Sequence, residues 1–313
     1  MIMKQLAILS ILVAALAPCS IASMPDATAQ GAIPKDVQQI ICVDYRAMSN
    51  SPTAMALKKK VLPDELKKLE DALRGVGITP ERDVDSLTFA SFRTKGGIRI
   101  VGVANGEFQN TKVFAQLKKQ KIQPKVMDKE SVYPMGGNGM SMTLLNRTTM
   151  LFGESSALKS ALDAYSGDAE SLNANKEMLQ LMAGLAPETV WSTLDQAGTQ
   201  TMLKNALGEA AQLGEYENVK GHILNSRYTM NFDSGVDFNL LLNTSDNVTA
   251  ATLSSLLKAG ILFKKDNGTA AEKSALGDMV VDSDNSKLLM RYKADDRKFL
   301  SLLNSDLFQN VVR

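Results

Sequence analysis

The chain repeats one order of elements, and that repeat constrains its fold more than any other feature. The first copy begins near Asp36 with a β-rich run over 37–44. Residues 55–74 follow as helix, where Leu62, Leu66, Leu69 and Leu73 form one apolar stripe. Pro63 divides that stretch in two, because proline is tolerated only in a first helical turn, and Gly75 and Gly77 end it. Strands over 86–92 and 98–104 meet at Lys95-Gly96-Gly97, a hairpin signal. A helix over 111–119 comes next, then strands over 140–145 and 148–152 around Asn146-Arg147. Ser155 is expected to cap a helix carrying Leu158, Leu162 and Tyr165.

The second copy begins at Glu188. It gives a strand over 189–194, a helix over 199–213, and strands over 227–232 and 236–242 joined by Asp233-Ser234-Gly235. A helix over 248–262, a hairpin from 279–281 to 287–292, and a helix capped by Asp295 complete it. Both copies therefore read β-α-β-β-α-β-β-α. Gly97 to Asn105 aligns with Gly235 to Asn243 at an offset of 138, and Leu158 and Leu162 align with Phe299 and Leu303 at 141.

The expected fold is α+β, with mainly antiparallel sheets packed against helices. Its units are a first repeat over 36–166, a connecting helical segment over 167–187 and a second repeat over 188–313. In the connector, Met178, Leu179 and Met182 suggest a helix packed on a domain. The pattern leaves open whether the two repeats share one sheet.

Residues 1–29 have the order of a secretory signal peptide: Lys4, an apolar run from Leu6 to Ala17, a break at Pro18, and Ala27-Thr28-Ala29 as a cleavage site. The run is short for a membrane span. Leu16-Ala17-Pro18-Cys19 supplies a second reading, a bacterial lipobox whose lipidated cysteine would anchor the chain peripherally to a membrane. The expected location is periplasmic or extracellular, with a lipoprotein anchored at Cys19 as the alternative. Beyond the N-terminal run no segment is long and apolar enough to span a bilayer. Cleavage after Ala29 leaves Cys42 as the one cysteine, placed in an apolar run as a small buried hydrophobe.

Composition narrows the chemistry. A net charge of +1 argues against a nucleic-acid partner, and one histidine with two cysteines leaves few soft metal ligands. Ser156 and Lys159 match a Ser-x-x-Lys pattern, but Ser255 and Lys258 match it equally, and no Lys-Thr-Gly follows either. His222 invites a triad with Asp233 or Ser226, without a nucleophile-elbow sequence. Asp282 to Ser286 opens like a calcium loop, yet Lys287 and Lys293 stand where glycine and glutamate are required. The Gly136-Gly137-Asn138-Gly139 loop leads into a strand and not a helix. Trp191 reads as a core or interface anchor, and the basic runs at Lys58 to Lys60 and Lys118 to Lys121 as solvated helix faces. No catalytic, cofactor-binding or metal-ligating residue is assigned, and no cofactor is expected.

The run from Gly77 to Phe89, Gly-Ile-Thr-Pro-Glu-Arg-Asp-Val-Asp-Ser-Leu-Thr-Phe, resembles a segment of bacterial exported proteins of unknown function built from repeated α+β units. The resemblance implies an envelope location and supplies no activity or site residues. The expected function is that of a noncatalytic, exported cell-envelope binding or interaction protein, with an envelope protein or ligand as partner. The alternative is a lipid-handling or lipid-anchored envelope factor. A hydrolase ranks below both.

Overall fold

The structure is a computed structural model that describes residues 24–135, 139–185, 188–207 and 214–304. The expected signal run over 1–23, Cys19, the loop residues 136–138 and the chain end over 305–313 lie outside the described residues.

The first half comprises α1 (Ala27–Ala32), β1 (Val37–Asp44), α2 (Tyr45–Ser49), α3 (Pro52–Val61), α4 (Asp64–Gly75), α5 (Pro80–Asp83), β2 (Val84–Thr94), β3 (Gly97–Gly106), α6 (Asn110–Lys119), β4 (Lys125–Met127), β5 (Glu130–Pro134), β6 (Met140–Leu144), β7 (Thr149–Glu154) and α7 (Ser155–Ser166). After α8 (Lys176–Met182) come β8 (Val190–Leu194), α9 (Gln196–Leu207), α10 (Gly214–Val219), β9 (Ile223–Asn231), β10 (Val236–Thr244), α11 (Asn247–Asn267), α12 (Ala270–Gly277), β11 (Met279–Asp284), β12 (Lys287–Ala294) and α13 (Asp296–Leu303). The fold is α+β, as the alternating and helical periodicities require.

Among the described residues the strands join one sheet of 12 strands in the order β11-β12-β10-β9-β8-β1-β2-β3-β7-β6-β5-β4. Read outward from the central β8–β1 pair, the two halves match strand for strand, and β5 and β4 extend the first. The register sharpens the match. Ile41 lies opposite Ser192, flanked by Gln39–Leu194 and Val43–Val190. A rotation about that pair, perpendicular to the sheet, exchanges β1 with β8, β2 with β9, β3 with β10 and β7 with β12. It also carries Gly102 onto Leu240, because Ile41–Phe89–Gly102 and Ser192–Tyr228–Leu240 are equivalent rows. Gly97 and Gly235, at the same turn in each half, both have positive φ, 104° and 112°.

Side chains alternate across a strand, so each cross-strand row belongs to one face. Met150–Ala104–Leu87–Val43–Val190–Met230–Phe238–Tyr292 is a continuous apolar row on the face called here the front. Helices α4 and α6 cover it in the first half through Leu69, Leu73, Val113 and Leu117. In the second half α3, α9, α11 and α13 cover it through Ala54, Leu203, Leu253, Phe299 and Leu303. On the back face, α1, α7 and α8 pack over Ile40, Cys42, Val101, Val103, Leu151 and Trp191.

Several local expectations change. Pro63 does separate two helices, as the N-cap of α4. Ser155 is already helical and Glu154 is the N-cap, with no side-chain capping bond. Strands β4 and β5 form around Asp128 and Lys129, whose positive φ values of 47° and 72° make a tight turn without the glycine that would announce it.

The expected cleavage site falls within a folded element. Ala27-Thr28-Ala29 is the first turn of α1, whose backbone at Ala29 bonds to the Asp26 carboxylate at 2.8 Å. Ala29 and Ala32 are fully buried against the back-face core. The folded domain therefore includes α1, ahead of the expected start at residue 36. A chain beginning at Gln30 would lose the cap and the buried Ala29 methyl. It should be about 2 kcal/mol less stable than one beginning at Met24, from roughly 1 kcal/mol for each loss. Urea unfolding of the two forms checks this; equal midpoints would remove α1 from the core.

Candidate functional site

The sequence candidates for catalysis are not assembled. The Lys159 ammonium bonds to the Asp163 and Asp128 carboxylates, and the second contact is 3.2 Å. Those bonds raise its pKa, Asp163 contributing most, so the amine is held charged and is unsuited to take a proton from Ser156. Asp128, Asp163 and Asp168 bring carboxylate oxygens within 4.8 Å of one another; Lys159 pairs with the first two, and Asp168 accepts from the Ser166 hydroxyl. Lys159→Met should leave the urea midpoint and partner binding unchanged, since exposed ion pairs contribute little; loss of an activity in a normally folded variant would restore the serine–lysine reading.

His222 meets neither Asp233 nor Ser226. Ser226 is buried and bonded to Thr199 at 2.9 Å, while Asp233 is exposed beside the β9–β10 turn. The histidine faces Ser245 and Asp246 instead, at 2.9 and 3.3 Å, both through Nδ1. A relay needs the two ring nitrogens to serve different partners. Asp246 also accepts the Thr249 amide at 2.7 Å, at the start of α11.

Residues Asp282 to Ser286 form the β11–β12 hairpin, turning at Asn285 with φ 51°. Trp191 is buried in the back-face core opposite Cys42, whose Sγ lies 3.6 Å from the Thr88 hydroxyl. Lys59 and Lys60 are exposed, but Lys58 is buried against Tyr45 and Glu70, which corrects its reading as a solvated lysine. The signal was its spacing: Ala54 and Lys58 lie four residues apart on the buried side of α3.

The unusual surface is on the back of the second half. The row Leu151–Val103–Thr88–Cys42–Trp191 continues as Thr229–Asn239–Arg291. The neighbouring row Gly153–Val101–Ala90–Ile40–Thr193 continues as Arg227–Leu241–Leu289. Both rows are buried in the first half and become polar or half-exposed in the second. The difference lies in where the last helix of each half goes. α7 turns onto the back face and seats Leu158 and Leu162 there. α13 starts at 141 residues after α7, whereas the preceding strands keep the offset of 138, so β12 runs on and Phe299 and Leu303 enter the front-face cluster. Among the described residues, no helix core covers the back of β10, β11 and β12.

No protein-family model matches the chain, and no curated protein matches it. Solved structures do. Crystal form I of TP0453 superposes with a TM-score of 0.52 at 9% identity, covering 91% of this chain and 98% of that one. Crystal form III of TP0453 gives 0.51 at 8%, covering 88% and 96%. The shared property is the fold.

On this fold the open back face forms a depression of about 250 Å³ bordered by Gly184, Leu185 and Glu188 and floored by the strand residues. That is below the usual ~300–1,000 Å³ of small-molecule pockets. Neither the Arg227 nor the Arg291 guanidinium has a hydrogen-bond or ion-pair partner among the described residues. The sequence marks 236–242 as a strand but singles out none of these residues. Asp237, Asn239 and Leu241 share the back-facing parity, and only the opposite placement of α7 and α13 separates a solvated face from a covered one.

Proposed function

We propose that the protein is an exported, noncatalytic binding protein of the cell envelope, and that its contact surface is the open back face of β10 and β12. The supporting observation is the contrast between equivalent faces: one buried under α7, the other retaining Leu241 and Leu289 beside two unpaired arginines. The N-terminal apolar run and the resemblance at Gly77 to Phe89 support the envelope location. Both lipidation at Cys19 and cleavage just before Met24 would leave α1 intact, which favours either over cleavage after Ala29.

The test is a photo-crosslinking residue at Asn239, with a control at Lys119 on α6, in the full chain expressed in its own host. A protein adduct specific to position 239 is the expected result. Equal labelling at both sites, or no adduct at 239, would remove the binding-face reading.

A lipid-handling role is the second reading, favoured by Val248, Leu262 and Phe263 on α11, which are 68, 61 and 65% exposed. A depression of about 260 Å³ lined by Met127, Met135 and Met140 adds an apolar recess. Flotation of the chain with anionic vesicles, abolished by Leu262→Ser with Phe263→Ser, would support it.

A further inference from the structure

Helix α7 begins at the depression that Met127 and Met140 border, and no side chain caps it. We infer that the start of this helix, together with Ser141 and Lys125, is a binding site for a small oxyanion of the phosphate class. The site lies on the first repeat, away from the face of β10 and β12, and does not depend on the readings above.

The first amides of an α-helix lack partners within the helix and carry the positive end of its dipole. At the equivalent helix start in the second repeat, the Asp295 carboxylate accepts the Lys298 amide. Glu154 stands at the place of Asp295, 141 residues earlier, and makes no capping bond. The register gives the reason. Glu154 lies opposite Met140, in a front-face row, whereas α7 packs on the back. The first turn of α7 holds no acidic residue either.

A second feature marks the same recess. Ser141 lies opposite Gly153 and so extends the back-face row on which α7 packs. Gly153 has no side chain to hold the helix away, and a Cβ there would come within 3.8 Å of the Ala157 Cβ. Ser141 is 5% exposed and lines the depression, and among the described residues its hydroxyl bonds to no other group. That hydroxyl is not among the sealed, unpartnered oxygens of the core, so its remaining exposure opens onto the recess. A nearly buried hydroxyl without a partner is costly unless something in the recess meets it.

The charge of the recess has one sign. Lys125 lines it and has no ion-pair partner among the described residues, and none of the described residues bordering it is a carboxylate. Asp128 and Asp163 are engaged by Lys159, one turn further along α7, and Glu130, opposite Met127, does not border the depression. A helix start, an ammonium and the hydroxyls of Ser141 and Ser155 therefore border one space. Such a set of donors suits an anion with several acceptor oxygens.

The test titrates the full chain with inorganic phosphate and follows backbone amides by NMR, with chloride at matched ionic strength as the control. Phosphate should move the amides of Ser155, Ser156 and Ala157 saturably and leave those of Asp296 to Lys298, which have their own cap, in place. Ser141→Ala with Lys125→Gln should weaken binding about tenfold, the scale of losing a hydrogen bond to a charged group. Ser155→Asp supplies a fixed carboxylate at the helix start, so it should abolish the phosphate response and raise the melting temperature. Shifts that chloride reproduces, that never saturate, or that survive Ser155→Asp or the double variant overturn the inference. A parallel titration with dihexanoyl phosphatidylglycerol separates the sources: saturation of the same amides by either ligand upholds the site, and the tighter one tells a lipid headgroup from a free ion.

Discussion

Replacing Lys58 by methionine should lower the unfolding free energy by about 3 kcal/mol, the lower end of the cost of orphaning a buried ion-pair partner. The Lys58 ammonium lies 2.6 Å from Glu70 Oε1 and 2.6 Å from the Tyr45 hydroxyl, and 4.8 Å from the centre of the Tyr45 ring. The Lys58 and Glu70 side chains are 10 and 20% exposed, so water can reach the glutamate in part, which sets the lower end. The cluster ties α2 to α3 and α4, and removing the ammonium takes one partner from both the carboxylate and the phenol. Lys58→Met with Glu70→Leu should recover most of the loss, because no charge is then stranded. Urea titration with an unchanged slope checks both statements. A single variant within about 0.5 kcal/mol of the parent, the scatter of surface changes, would refute the buried pair.

The same cluster predicts an alkaline dependence. Burial acts to lower the Lys58 pKa, but the hydrogen bonds to Glu70 and Tyr45 outweigh it and hold the group above its ordinary 10.5. Burial also raises the Tyr45 phenol, against the opposing bond from Lys58. A raised folded pKa means that the native state keeps its proton longer than the unfolded chain. The contribution is therefore complete below the ordinary values and is lost as the pH climbs through the raised ones. Lys58→Met should flatten that alkaline decline.

How much of this was legible follows from what each feature depends on. The strand at Val37–Asp44, the break at Pro63 and the Asp295 cap, whose carboxylate accepts the Lys298 amide at 2.8 Å, are local and were readable. The duplication was readable because elements and offsets repeat. The β8–β1 join was not, because pairing across the centre depends on two segments far apart in sequence meeting at Ile41 and Ser192. Helix α1 was hidden because small residues serve equally as a cleavage site and as close packing at Ala29 and Ala32. The buried Lys58 was hidden inside a lysine triplet whose other two members are solvated. The open back face was hidden by the longest-range fact of all: two aligned helices, α7 and α13, take opposite sides of the sheet.

Gly235 and Gly97 offer a measurement in which equivalent positions should behave differently. Both sit at the hairpin entering the third strand of their repeat, and both have a φ that a side chain disfavours, 112° and 104°. A Cβ added at Gly97 meets nothing within 4 Å. Gly97→Ala should therefore cost only the backbone strain, about 1–2 kcal/mol. At Gly235 the same atom would lie 2.1 Å from the Ala294 carbonyl oxygen and 2.7 Å from the Asp295 Cα. Those are backbone atoms at the end of β12, and Asp295 caps α13, so they cannot swing aside as a side-chain tip can. Strain and enforced overpacking then combine, and Gly235→Ala should cost about 4 kcal/mol. The extra loss has a location. Moving Ala294 and Asp295 tilts α13 and loosens Phe299 and Leu303 from the front-face cluster, so amide exchange should quicken in α13 before it does in α7. Equal destabilisation by the two alanines would mean that β12 yields at no cost, and the tight passage of the chain from β12 into α13 would no longer explain why this helix takes the front of the sheet.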